Sequence, residues 1–67
     1  MRVNGANVAL ASLGGVCTLK AFLEREGYAV DRVAVEKNGK IIPKALYENE
    51  PLAENDRLEI VSFVGGG

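Results

Sequence analysis

The chain has 67 residues, with eight basic against nine acidic side chains for a net charge of −1, one cysteine and no histidine. That length makes one small domain, burying only about 60% of its unfolded surface; one cysteine closes no internal disulfide, and without histidine there is neither a usual zinc site nor a Ser-His-Asp set. There is also no Gly-x-x-x-x-Gly-Lys phosphate loop, no clustered basic charge for nucleic acid, no apolar run of membrane-spanning length and no signal-peptide stretch at the start, so the expectation is a cytoplasmic protein that enzymes act upon rather than an enzyme.

Met1 to Asn4 alternates apolar and polar residues, and Asn4-Gly5 is a two-residue hairpin signal. The returning strand is expected through Val8 and Leu10, giving a hairpin over about residues 1–11. Ser12 to Val16 reads as a loop from its glycines. A helix over residues 18–26 follows, with Thr18 as N-cap and Leu19, Phe22 and Leu23 on one apolar stripe. Gly27 suits the left-handed residue that ends it. Lys20 and Glu24 are spaced for an i,i+4 ion pair on its outer side. A third strand runs from Arg32 to Lys37, Asn38-Gly39 makes a second hairpin turn, and Lys40 to Ile42 returns until Pro43 stops the ladder. Lys44 to Tyr47 has room for one helical turn, Glu48 to Pro51 is polar loop, and Asn55-Asp56 signals a third turn. Arg57 to Val64 is the last and most apolar strand. The order β-β-α-β-β-β gives an α+β roll, and burial places the last strand in mid-sheet, parallel to the first.

Alternation along that last strand puts Leu58 and Ile60 on one face and Val61 and Phe63 on the other. One helix covers one face, so Leu58 and Ile60 are expected beneath it. Val61 and Phe63 are then left on an open face that reads as a partner surface. The competing arrangement folds residues 43–53, with Leu46, Tyr47 and Leu52, over them. Gly65, Gly66 and Gly67 follow the strand. Three glycines gain no packing and cost the most entropy to order, but they make a thin arm with a carboxylate at its tip, able to thread a tunnel that any Cβ would block. The plainer alternative is a disordered terminus or a linker remnant.

The element order, the segment Val33-Ala34-Val35-Glu36-Lys37-Asn38-Gly39-Lys40-Ile41-Ile42-Pro43 and the ending from Asp56 to Gly67 resemble the ThiS family. These are sulfur carrier proteins of thiamine thiazole biosynthesis with a β-grasp (ubiquitin-like) fold, a mixed sheet of four to five strands crossed by one helix. The resemblance implies a β-grasp domain over residues 1–64 and a flexible glycine tail over residues 65–67. It implies that the Gly67 carboxylate is adenylated by an E1-like enzyme (ThiF), converted to a thiocarboxylate with sulfur from a cysteine desulfurase, and used by thiazole synthase (ThiG). Gly65 and Gly66 would thread the partner's active site, and Val61, Phe63 and Val64 would form the docking patch. ATP and magnesium would belong to the activating enzyme, with no cofactor bound by the chain, which is expected to be a monomer when free. The chemistry is consistent: a carboxylate is a poor electrophile until AMP is its leaving group, and a thioacid gives a soft nucleophilic anion at neutral pH, as thiolates do. The alternatives are a MoaD-like small subunit of molybdopterin synthase, although Ser62-Phe63-Val64 lacks that family's proline, a ubiquitin-like modifier, or a β-grasp interaction module.

Among single residues, Cys17 reads as a small buried hydrophobe, its place before a helix being the one argument for reactivity. Lys37, Lys40 and Lys44 read as a solvated edge that guards the second hairpin, or as a docking cluster. Arg57 could pair with a partner enzyme, while Tyr28 and Tyr47 are expected to pack.

Overall fold

The computed structural model describes residues 1–14 and 18–63. Strands β1 (Arg2–Val3) and β2 (Ala6–Asn7) form an antiparallel hairpin. Asn4 and Gly5, at φ 50° and 86°, make the left-handed turn whose twist matches that of the strands. The returning strand is shorter than expected. Val8 donates its N–H to the Met1 carbonyl at 2.7 Å, and the Leu10 N–H is then taken by Glu54 Oε1 at 2.7 Å. With that donor diverted from the ladder, Leu10–Leu13 coils into a 3-10 helix instead of extending the strand.

Helix α1 spans Leu19–Arg25. Thr18 Oγ1 accepts the Ala21 N–H at 3.2 Å, the expected N-cap. At the other end Gly27 sits at φ 84°, its N–H reaches Glu24 O at 3.1 Å, and the Tyr28 N–H reaches Leu23 O at 2.9 Å. These are the paired bonds of a Schellman stop, which only a residue at ease in the left-handed region allows. Strands β3 (Val33–Lys37) and β4 (Lys40–Ile42) flank the Asn38-Gly39 turn, and β5 (Arg57–Ser62) closes the chain order. A 3-10 turn at Lys44–Leu46 follows Pro43.

The sheet order is β2-β1-β5-β3-β4, with β5 parallel to β1 and antiparallel to β3. The last strand is therefore central and parallel to the first, as expected. Side-chain oxygens and nitrogens help to hold it there. Asn4 Oδ1 accepts the Ile60 N–H at 2.7 Å and Asn4 Nδ2 donates to the Ile60 carbonyl at 3.2 Å, so one side chain replaces a backbone partner where β1 has ended. On the other flank, Asn38 exchanges bonds with Arg57: its N–H donates to Arg57 O and its Oδ1 accepts the Arg57 N–H, both at 2.9 Å. Each turn asparagine thus both adopts positive φ and clamps β5.

The helix covers one face. Leu19, Phe22 and Leu23 from α1 meet Val3, Val33, Val35, Leu58 and Ile60 from the sheet, and all are buried. Segment 43–53 closes the same side rather than the open face. Tyr47 and Leu52 are buried in this core, while Leu46 stays exposed. The reason lies at the start of α1, whose first N–H groups lack intrahelical partners. Leu19 N–H donates to Glu50 O at 2.8 Å and Lys20 N–H to Tyr47 O at 2.9 Å, which ties the segment to the helix. The Tyr47 hydroxyl donates to the Val33 carbonyl at 3.2 Å, the polar contact that a buried tyrosine needs. Burial raises its phenol pKa, with a hydrogen bond at the Val35 backbone partly opposing. Lys20 Nζ lies 4.0 Å from Glu48 Oε1, on that same segment, in place of the expected partner Glu24. No helix among the described residues is long and apolar enough to cross a membrane.

Candidate functional site

The site is the uncovered face of the sheet and the end of β5 that leads to the glycines. Alternation sends Leu58 and Ile60 inward, with 0% and 7% exposed, and leaves Val61 60% and Phe63 56% exposed. Of the two arrangements that composition leaves open, exposure holds for both residues. Val61 lies opposite Ala34 on β3, and one row back Glu59 lies opposite Glu36, which in turn lies opposite Ile41 on β4. Ile41 is 76% exposed. Ala34, Glu36, Ile41, Glu59 and Val61 line a shallow, mostly apolar depression.

Two contacts direct the chain beyond the strand. The Phe63 N–H donates to the Arg32 carbonyl at 2.8 Å, which holds the backbone against β3 one residue past Ser62. Lys44 Nζ sits 5.7 Å from the centre of the Phe63 ring, within cation–π range. Phe63 is thus exposed yet oriented. Of the site residues expected from sequence, Val61 and Phe63 are placed together on the open face. Val64, Gly65, Gly66 and Gly67, and Cys17 with them, lie outside the described residues, as does the boundary expected between domain and tail.

The lysines do not form one patch. Lys37 Nζ is turned to Glu50 Oε2 at 2.8 Å, the Pro51 carbonyl at 2.7 Å and Asp56 Oδ2 at 3.8 Å. It fastens segment 50–56 to the second hairpin and is no solvated guard. Burial pushes the Asp56 carboxyl up, but hydrogen bonds from Asn38 Nδ2 and the Ala53 N–H, together with Lys37, outweigh it and hold the carboxyl below its ordinary range. Glu36, Glu59, Ile41 and Lys44's contact with Phe63 were not singled out by sequence reasoning. The first three were within reach of it: period two on either side of the Asn38-Gly39 turn already puts residues 36 and 41 on one face.

A mixed sheet of this order, one helix across it and a central strand running toward terminal glycines define a small β-grasp protein. The chain belongs to the ThiS family, whose sequence profile matches residues 1–67. It is 44% identical over 50 residues to a thiazole synthase from Paramagnetospirillum magneticum, a match that covers 75% of this chain and 15% of that one. It is 51% identical over 35 residues to the sulfur carrier protein ThiS of Bacillus subtilis, covering 52% of this chain and 53% of that one. The crystal structure of the thiamine biosynthesis protein ThiS from Geobacter metallireducens superposes with a TM-score of 0.76 at 23% identity, over 98% of this chain and 96% of that one, which shows the shared fold. The chain spans 15% of the length of the thiazole synthases it matches.

Proposed function

We propose that this chain is a sulfur carrier for thiamine thiazole biosynthesis, a protein cosubstrate that works in the cytoplasm through the Gly67 carboxylate. The observation that carries this reading is the direction of β5. The central strand is clamped on both flanks, Phe63 is tied to Arg32, and the next residues in sequence are Val64 and three glycines. On this reading the three glycines, which carry no side chains, are narrow enough for an enzyme tunnel to accept. Family membership supports the same reading. So do the thiazole synthases, in which a segment like this one is part of a longer chain.

In the proposed cycle, a Gly67 carboxylate oxygen attacks the α-phosphorus of ATP on an E1-like activating enzyme, and pyrophosphate leaves. The magnesium and the ATP are that enzyme's. Sulfur at the sulfide level, released by a thiol reductant from the persulfide of a cysteine desulfurase, then attacks the acyl carbon, AMP leaves, and the thiocarboxylate results. Gly65 and Gly66 leave the approach to that carbon open. Thiazole synthase takes the sulfur, and an oxygen atom from the sulfur acceptor or from water replaces it on the acyl carbon and restores the carboxylate. Val61, Phe63 and Val64 form the surface on which these enzymes dock.

The test is intact mass after incubation with ATP, magnesium, an E1-like activating enzyme and a sulfur donor. The expected result is a gain matching one oxygen replaced by sulfur, mapped to the C-terminal peptide and lost when Gly67 is deleted. An unchanged mass, with an activating enzyme proven on another carrier, refutes the proposal.

A further inference from the structure

We infer that Lys44 is an internal acceptor for the chain's own activated C-terminus: when the Gly67 acyl group is activated and no enzyme encloses it, the Lys44 amine captures it as an amide and closes residues 44–67 into a ring. The activation step rests on the carrier reading above. Lys44 Nζ lies 5.7 Å from the centre of the Phe63 ring, and the Phe63 N–H is bonded to the Arg32 carbonyl at 2.8 Å. The amine therefore stands beside the point where the chain leaves the sheet. Val64, Gly65, Gly66 and Gly67 follow, and a chain of that length reaches at most about 14 Å. This covers the separation from Phe63 to the amine with chain to spare, and the glycines carry no side chains to hinder a tight return.

The other amines are occupied or farther away. Lys37 Nζ is held by Glu50 Oε2, the Pro51 carbonyl and Asp56 Oδ2. Lys20 lies beside Glu48 on the helix side, and the Met1 amine donates to the Val8 carbonyl. Lys40 pairs with Lys37, at the opposite end of β3 from Val33, which pairs with Ser62; that offset is about 13 Å of strand. Lys44 takes part in no ion pair among the described residues. Tethering gives the tail an effective amine concentration on the order of millimolar, above that of lysines on other molecules in dilute solution. In the step itself, the free amine attacks the Gly67 acyl carbon. The C–N bond forms, the bond to the AMP oxygen breaks, AMP leaves with that electron pair, and the nitrogen passes its extra proton to water. Nothing is oxidised or reduced. The product has lost the carboxylate that accepts sulfur, so cyclisation ends its use as a carrier, and an activating enzyme must hold the tail away from Lys44.

The test uses the whole chain carrying a C-terminal thioester, made by intein cleavage with a small thiol, so that the carboxylate is activated without any enzyme. Wild type, Lys44→Arg and Lys40→Arg are incubated at mildly alkaline pH in excess thiol and followed by intact mass and tandem mass spectrometry. Wild type should yield a monomer one water lighter than the free acid, with Lys44 joined to Gly67, at a rate independent of protein concentration. Lys40→Arg should cyclise like wild type. Lys44→Arg should hydrolyse instead, its cyclised fraction falling about tenfold or more. Hydrolysis alone in wild type, a bond to another amine, or a rate that rises with protein concentration overturns the inference. A parallel incubation with the activating enzyme and ATP, without a sulfur donor, tests the carrier reading separately. If the thioester cyclises on Lys44 but the enzyme releases no pyrophosphate with this chain, the carrier reading fails and the Lys44 assignment stands.

Discussion

Replacing Asn4 tests whether a single turn side chain holds the central strand. Asn4→Ala removes the acceptor of the Ile60 N–H, at 2.7 Å, and the donor to the Ile60 carbonyl, at 3.2 Å. Each such hydrogen bond contributes about 1 kcal/mol net. Asn4 also sits at φ 50°, where alanine costs about 1 kcal/mol more than glycine. The expected loss is about 2–3 kcal/mol for alanine and about 1 kcal/mol less for Asn4→Gly, which keeps the turn and loses the bonds. In a domain of this size, 1 kcal/mol shifts the melting temperature by about 4–8 °C, so the alanine variant should melt about 10–20 °C lower. Asn4→Asp retains the acceptor for the Ile60 N–H but sets a carboxylate oxygen against the Ile60 carbonyl, and should fall between wild type and alanine. Urea unfolding measures the series, and amide exchange at Ile60 reports the bond itself. An alanine variant within about 0.5 kcal/mol of wild type would refute the clamp, because surface substitutions away from such features fall in that range. Equal losses in alanine and glycine would refute the backbone part of the argument.

Two further outcomes follow from the geometry. The Asp56 carboxyl is held below its ordinary value of 3.8. Its stabilising contribution is therefore fully present above that pH and is lost as pH falls through the lower folded value. Wild type minus Asp56→Asn, measured by urea midpoints across this range, should show that loss, and the loss should be smaller and complete at a higher pH when Lys37→Met removes the charge that helps to depress it; parallel curves would refute the assignment. Phe63→Ala removes an exposed ring, so stability should change by no more than about 0.5 kcal/mol. Its binding to the activating enzyme, measured by calorimetry, should weaken by more than about fivefold, or 1 kcal/mol; unchanged binding would remove Phe63 from the docking surface.

Features that depend on a few neighbouring residues are legible in the amino-acid order itself. Asn4-Gly5 and Asn38-Gly39 demand positive φ at both turn positions, and the backbone has it. Thr18 and Gly27 bound the helix because a cap and a left-handed stop each act within five positions along the chain. The period of two along Leu58 to Phe63 separates the core face from the open face, and one helix can cover only one of them.

What the amino-acid order leaves open depends on partners distant along the chain. Segment 43–53 could cover either face by composition alone. The unpaired N–H groups at the start of α1 took the carbonyls of Tyr47 and Glu50, and so decided the side. Lys37 looks like any edge lysine until Glu50, the Pro51 carbonyl and Asp56 converge on it. Asn4 is recognisable as a turn residue, but its hold on Ile60 spans 56 positions. The Glu36–Glu59 opposition exists only because β3 pairs with β5 in one register. Local φ preference and side-chain periodicity belong to the sequence alone. Which donor meets which acceptor across the sheet was settled only when the whole domain closed, because each of those bonds competes with water until its distant partner is in place.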